Sequence, residues 1–171
     1  ERTFPLPKPA RKVYDAFWSE LVADVGNGTV TADNALVKLV RAQQMTSGFV
    51  PVEPAIDPFS DEPTAVEPEI EVLHDAKAEL LREILRDVPS NDCLVVFCRW
   101  RYDLDRVRSL VESLEWERNG VQPGNTKKRD QMFKDGTWKP FVYGELSGRS
   151  KQLDENAKIP PGFAVFGVQV Q

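Results

Sequence analysis

Histidine and cysteine are scarce in this chain. His74 is the single histidine, and the two cysteines, Cys93 and Cys98, lie away from it with no second pair. Zinc sites need several such ligands at short, paired spacings, and that pattern is missing. Two cysteines are also too few for a disulfide framework, which points to a reducing compartment. Long hydrophobic runs are missing as well: no stretch approaches the roughly 20 apolar residues of a membrane-spanning helix. The first residues, Glu1 to Lys12, are polar, charged and rich in proline, unlike a signal peptide. A cytoplasmic protein with no membrane partner is expected. Positive charge is in deficit, with 22 Lys and Arg against 27 Asp and Glu and a net charge of -5. Any grip on a nucleic acid must therefore come from a local patch and not from the overall field.

What remains is the balance of a globular protein: 171 residues, 41% apolar and 29% charged. That is room for one compact domain with an appendage. Residues 8 to 24 read as a helix, with Val13, Phe17 and Leu21 on one stripe and Tyr14 and Trp18 beside it. Val25-Gly26-Asn27-Gly28 breaks it; Asn27-Gly28-Thr29 fits a glycosylation acceptor but reads better as a turn in a reducing compartment. Thr31 is suited to cap a second helix, with Leu36, Leu39, Val40 and Gln43 facing inward and Gly48 stopping it. Together these form an N-terminal helical pair over 1–49. The composition then changes over 50–71. Prolines stand at 51, 54, 58, 63 and 68, with seven acids and no Lys or Arg between Glu53 and Glu71. This segment reads as an acidic, proline-rich surface loop.

Residues 72–171 carry an α/β pattern. A helix over 72–87, with His74 partly exposed on it, precedes the continuous apolar run 94–98, read as a strand buried on both faces. A helix over 103–116 comes next, then an irregular basic stretch to Pro140 and strands near 141–145 and 164–170. Strand alternating with helix predicts a parallel sheet flanked by helices, with the segments around Phe97 and Tyr143 side by side and pointing the same way. Three strands leave an apolar edge exposed, which predicts reduced stability or self-association. The last residues lie inside an apolar strand, and a piece of a longer polypeptide is expected.

Three stretches of 72–171 could carry chemistry. Cys98 ends a strand beside Arg99 and Arg101, a position that can activate a thiol, but a Cys-x5-Arg anion loop would need Arg where Leu104 stands. A small hydrophobic cysteine is the better reading. Gly144-Glu-Leu-Ser-Gly148-Arg149-Ser150 follows a strand but is one residue short of a nucleotide phosphate loop and has Arg in place of Lys. Gly148, Arg149 and Ser150 still offer backbone, guanidinium and hydroxyl to a single phosphate, at a helix start in this reading. Arg99 and Trp100, at the end of the neighbouring strand, complete the candidate set, because ligands of open α/β sheets gather at the carboxyl ends of the strands. Lys127-Lys128-Arg129 reads as a solvated loop.

In order along the chain, these pieces resemble the second RecA-like domain of superfamily-two helicases of the Swi/Snf and DEAD/DEAH types. Leu94-Val-Val-Phe-Cys-Arg-Trp-Arg-Tyr-Asp-Leu-Asp resembles the fourth helicase motif, and Tyr143-Gly-Glu-Leu-Ser-Gly-Arg-Ser the following strand and turn. Leu36-Val-Lys-Leu-Val-Arg-Ala-Gln-Gln-Met-Thr-Ser-Gly48 resembles the helix before this domain, and Ala76-Lys77 with Leu80, Leu81 and Leu85 the helix entering it. Val165 to Gln171 resembles the strand leading into the fifth motif, which would begin near Gln171. The phrases "QQMTSGF" and "YGELSGRS" are similar to phage and prophage helicases. The resemblance implies a partial RecA-like domain in the cytoplasm of a bacterium or phage-infected host. It implies DNA, single strands included, as a partner and a missing first RecA-like domain as another. ATP and Mg belong to the full-length enzyme, none being bound by this fragment alone, so no ATP turnover is expected of it. A non-catalytic protein or DNA interaction module on an α/β scaffold is the alternative.

Overall fold

The computed structural model describes residues 3–26, 28–54, 69–89, 92–151 and 163–170. Most of the expected acidic loop, Asn27, the turn pair Ser90-Asn91, Pro160-Pro161-Gly162 and Gln171 lie outside the described residues. The chain divides into two compact units, Glu1–Leu80 and Leu81–Gln171.

The first unit opens with helix α1, Lys8–Glu20, which has proline in its first turn, where a missing N–H is harmless. It ends at Leu21, whose N–H still bonds Phe17 O and whose left-handed backbone (φ 61°) turns the chain out of the helix. The apolar periodicity carries this helix to 24, but it stops at Glu20, four residues sooner. Strands β1 (Val22–Val25) and β2 (Gly28–Thr31) form an antiparallel hairpin in its place. Gly26 in its turn has φ 54°, a left-handed conformation that calls for glycine, while a Cβ there would meet only the movable end of the Glu71 side chain. Helix α2, Ala35–Thr46, is capped by Asn34 and not by Thr31, which belongs to β2. Asn34 Oδ1 accepts from the Val37 N–H at 3.0 Å. The inward face is also rotated from the expected one: Val37 and Met45 join the core, while Leu36 and Leu39 face solvent. Gly48, at φ 96°, stands just past the helix end as expected. β3 (Phe49–Pro54) pairs with β2 and with β4 (Glu69–Val72), giving the antiparallel order β1-β2-β3-β4. The expected loop over 50–71 thus begins and ends in strands. Phe17, Ala23, Val25, Val30, Met45, Val50 and Val52 form this unit's core. His74, expected on an exposed helix face, is buried ahead of the helix, with Nε2 donating to Met45 O at 3.1 Å.

The unit boundary falls inside α3, Ala76–Asp87. Then come β5 (Leu94–Cys98), α4 (Arg101–Arg118), α5 (Thr126–Lys134), β6 (Val142–Ser147), β7 (Ser150–Lys151) and β8 (Phe163–Gln169). The fold is mixed α/β: β5, β8 and β6 form a three-stranded parallel sheet, and β7 adds an antiparallel edge. The order is β5-β8-β6-β7. β5 and β6 therefore point the same way but are not side by side, because β8 lies between them. β8 suits the central place: Val165 and Phe166, on opposite faces, are both buried.

One face of this sheet meets α3 and α4. Leu85, Leu104, Val107, Leu110, Val111 and Leu114 pack there on Cys98, Phe141 and Val165. The other face leaves Phe97 70% exposed, with Val95 and Leu146 also exposed. β5 is thus an edge strand buried on one face only, a correction to the two-sided burial read from its composition. α5 has no counterpart among the expected elements. Asn125 Oδ1 caps it by accepting from the Lys128 N–H, and Phe133 stacks on Trp138, whose indole N–H donates to Glu115 at 2.9 Å.

Candidate functional site

The carboxyl ends of β5 and β6 share one rim of the sheet. Cys98 aligns with Gln169 of β8, and Leu146 with Val168. β5 leads through Arg99 and Trp100 into α4, so the first turn of α4 starts on that rim. The Arg99 guanidinium sits over the Trp100 ring, 5.3 Å from its centre. β6 leads into a tight hairpin, not a helix: Ser147 pairs with Ser150 across the two residues Gly148 and Arg149. Neither has a positive φ, and a Cβ on Gly148 would meet nothing within 4 Å. Gly148 is therefore not a conformational necessity; it leaves an uncovered stretch of backbone.

β6, the turn after it and α4 are joined through a carboxylate that the sequence motifs do not single out. Glu145 lies on β6 with its side chain fully buried. Its Oε1 accepts from Arg149 Nε at 2.8 Å and from the Ser147 hydroxyl. Its Oε2 accepts from Arg108 at 3.0 Å, Arg149 at 3.2 Å and the Tyr143 hydroxyl at 3.2 Å. A buried charge survives only with such partners. The Arg149 hydrogen bonds, helped by Ser147 and Tyr143 against the opposing effect of burial, hold the Glu145 carboxyl down at about 2. Burial, and then the neighbouring carboxylate, push the Tyr143 phenol well above its ordinary range. Arg149 has a second partner. Its Nη1 and Nη2 reach Asp105 of α4 at 3.2 and 2.6 Å, which ties the β6–β7 turn to α4. Hydrogen bonds to both carboxylates raise the Arg149 pKa still further, so it is a permanent cation.

Space above this cluster depends on Gly167 of β8. A Cβ there would overlap the Tyr143 hydroxyl and approach Leu104 Cδ2 to 2.8 Å. Gly167 pairs with Glu145, so the glycine admits the tyrosine that helps hold the carboxylate.

The five expected site residues thus fall on one rim as two groups: Arg99 and Trp100 after β5, and Gly148, Arg149 and Ser150 after β6. Arg149 is engaged by carboxylates on both edges. Glu145, Arg108 and Asp105 are absent from the set expected on sequence. Their one sequence signal is a charged residue at 145, where the alternation of β6 calls for a core side chain, as at 143. Cys98 is buried in the core, away from the position of an attacking thiol, and Leu104 beside it is a core residue. Lys127, Lys128 and Arg129 belong to α5 and not to a loop. No group of three or more potential metal ligands occurs among the described residues, and no described helix is long and apolar enough to cross a membrane.

The chain is similar to the protein described as "Putative protein p41" from Acyrthosiphon pisum secondary endosymbiont phage 1. The two are 29% identical over 102 residues, which is 60% of this chain and 19% of the phage protein. The match thus covers about a fifth of the relative's length. No family model matches the chain, and no solved structure matches it.

Proposed function

We propose that residues 81–171 are part of the nucleic-acid-holding half of an ATP-driven helicase or translocase, with the carboxyl rim as the contact surface. The observation that carries this reading is that the turns after β5 and after β6 leave the same rim of the sheet, with the Arg149–Asp105 pair tying the second turn to α4. Arg99 and Arg101 leave β5 and Arg149 stands in the turn after β6, cations that can meet a phosphate backbone locally although the net charge is -5. Trp100 adds a flat face on which a base can stack. Gly148 leaves backbone open to a phosphate. The motif order resembles a second RecA-like domain, and the match to part of a larger phage protein supports a role as one segment of a longer machine. ATP and Mg would act in the complete enzyme, between this unit and a first RecA-like domain. Gly144 is a paired strand residue and the turn spans only two residues, so this stretch does not itself make a nucleotide phosphate loop.

The test is an anisotropy titration of a labelled single-stranded oligonucleotide at several salt concentrations. Three phosphate contacts predict a log–log salt slope of about -2, and Arg99→Ala reduces its size by about 0.7. Binding that is absent or insensitive to salt contradicts the reading. A protein-interaction module is the second reading, favoured by the exposure of Phe97. Loss of partner capture in Phe97→Ser, with oligonucleotide binding absent, selects it.

A further inference from the structure

We infer that Asp105 occupies a phosphate seat on Arg149 and is displaced from it by ligand. This deepens the proposed function and rests on its reading of the rim. The Arg149 guanidinium has two edges in use. The inner edge, Nε and Nη2, meets Glu145, which is fully buried and also held by Arg108, Ser147 and Tyr143. That contact is fixed by its surroundings. Among the described residues the outer edge, Nη1 and Nη2, meets only Asp105, whose side chain is 52% exposed. Among the described residues the Asp105 carboxylate bonds Arg149 alone.

The outer contact is a two-pronged one, an oxygen for each of two N–H groups. Two oxygens of a phosphate fit the same fork with the same charge. The charges also favour exchange. Arg108 and Arg149 share one buried carboxylate, so the cluster carries one positive charge that Asp105 balances from the solvent side. Exposed ion pairs are weak, since water and salt screen them. A phosphate can therefore replace Asp105 without disturbing Glu145. In the ligand-free protein Asp105 keeps Arg149 aimed at the rim and lowers its apparent affinity for anions, as any competing occupant does.

Two probes and three variants test this: a short single-stranded oligonucleotide, followed by anisotropy, and inorganic phosphate, followed by amide shifts in NMR. Asp105→Asn keeps the side-chain shape and removes the charge. Glu83→Gln, at an exposed site on α3, removes an equal charge elsewhere. Arg149→Lys keeps a cation for Glu145 and removes the fork. Asp105→Asn is expected to tighten both probes about threefold, Glu83→Gln to change little, and the gain to vanish in the Arg149→Lys background. No gain in Asp105→Asn, an equal gain in Glu83→Gln, or a gain that persists with lysine at 149 overturns the inference. A gain for phosphate with no oligonucleotide binding in any protein upholds the seat and overturns the nucleic-acid reading. Failure of every protein to bind either probe overturns both.

Discussion

Glu145 is the side chain on which the rim depends. Its carboxylate is buried beneath two arginines, so Glu145→Gln leaves Arg108 and Arg149 facing a neutral amide. Both arginines are part-exposed and Arg149 keeps Asp105, so the cost is that of weakened charge-assisted hydrogen bonds, about 1–3 kcal/mol, and chemical denaturation should show a loss of that order. The same residue sets an acid limit. Its folded pKa, about 2, lies below its ordinary value, so the unfolded chain binds the proton more readily. The stability it contributes is fully present above the ordinary carboxyl range and is lost as pH falls from there toward 2. Glu145→Gln should flatten that part of the pH–stability curve, and an unchanged slope would contradict the assignment. Gly167 is the second sensitive position. Gly167→Ala should cost about 1–3 kcal/mol by overpacking against Tyr143 and Leu104. Tyr143→Phe should restore part of the loss, because the hydroxyl is the nearest obstacle. Gly148→Ala, with nothing near its added methyl, should stay within about 0.5 kcal/mol of the parent.

Helix ends in the second unit are held by side chains from distant positions. Arg118, in the last turn of α4, donates to Leu85 O at 2.6 Å and Val88 O at 3.1 Å, capping α3, and its guanidinium lies 3.9 Å from the centre of the Phe141 ring. Arg118→Ala should lower stability by about 2 kcal/mol, the range for hydrogen bonds from a charged donor, with the first loss of amide protection at the end of α3. Such long-range caps mark the border between the legible and the illegible in this sequence. Helices α1 to α4 and the parallel strands announce themselves through apolar periodicity, and their positions are legible to within a few residues. The β1–β2 hairpin is not, because each strand is four residues long and the preceding helical stripe of Val13 and Phe17 extends in register to Leu21. α5 is obscured because it has no buried residue to make a stripe; its order comes from an Asn125 cap and from aromatic stacking on Trp138. The rotation of α2 stems from its cap. Moving the start from Thr31 to Asn34 leaves the leucines at 36 and 39 outside, and burial of Met45 decides the face.

Across the molecule, the two units have separate cores, and the proposed function belongs to the second. The five candidate residues are legible as two turns after two strands. Their meeting on one rim depends on parallel pairing, which the pattern indicates, but strand order is not readable: nothing local says that the last strand inserts between the earlier two. Glu145 shows in the sequence only as a charge at a core position of β6, since its partner Arg108 is 37 positions away. Phe97, with Val95 and Leu146 exposed on the same face, should make the isolated chain associate at high concentration, and sedimentation of Phe97→Ser should show that tendency reduced. The proposed role as a whole turns on where nucleic acid touches the protein. Hydrogen exchange with and without a saturating oligonucleotide measures this directly. Slowed exchange confined to residues 99–105 and 146–150 is the predicted result; protection over the basic helix 126–134 instead, or no change anywhere, would contradict it.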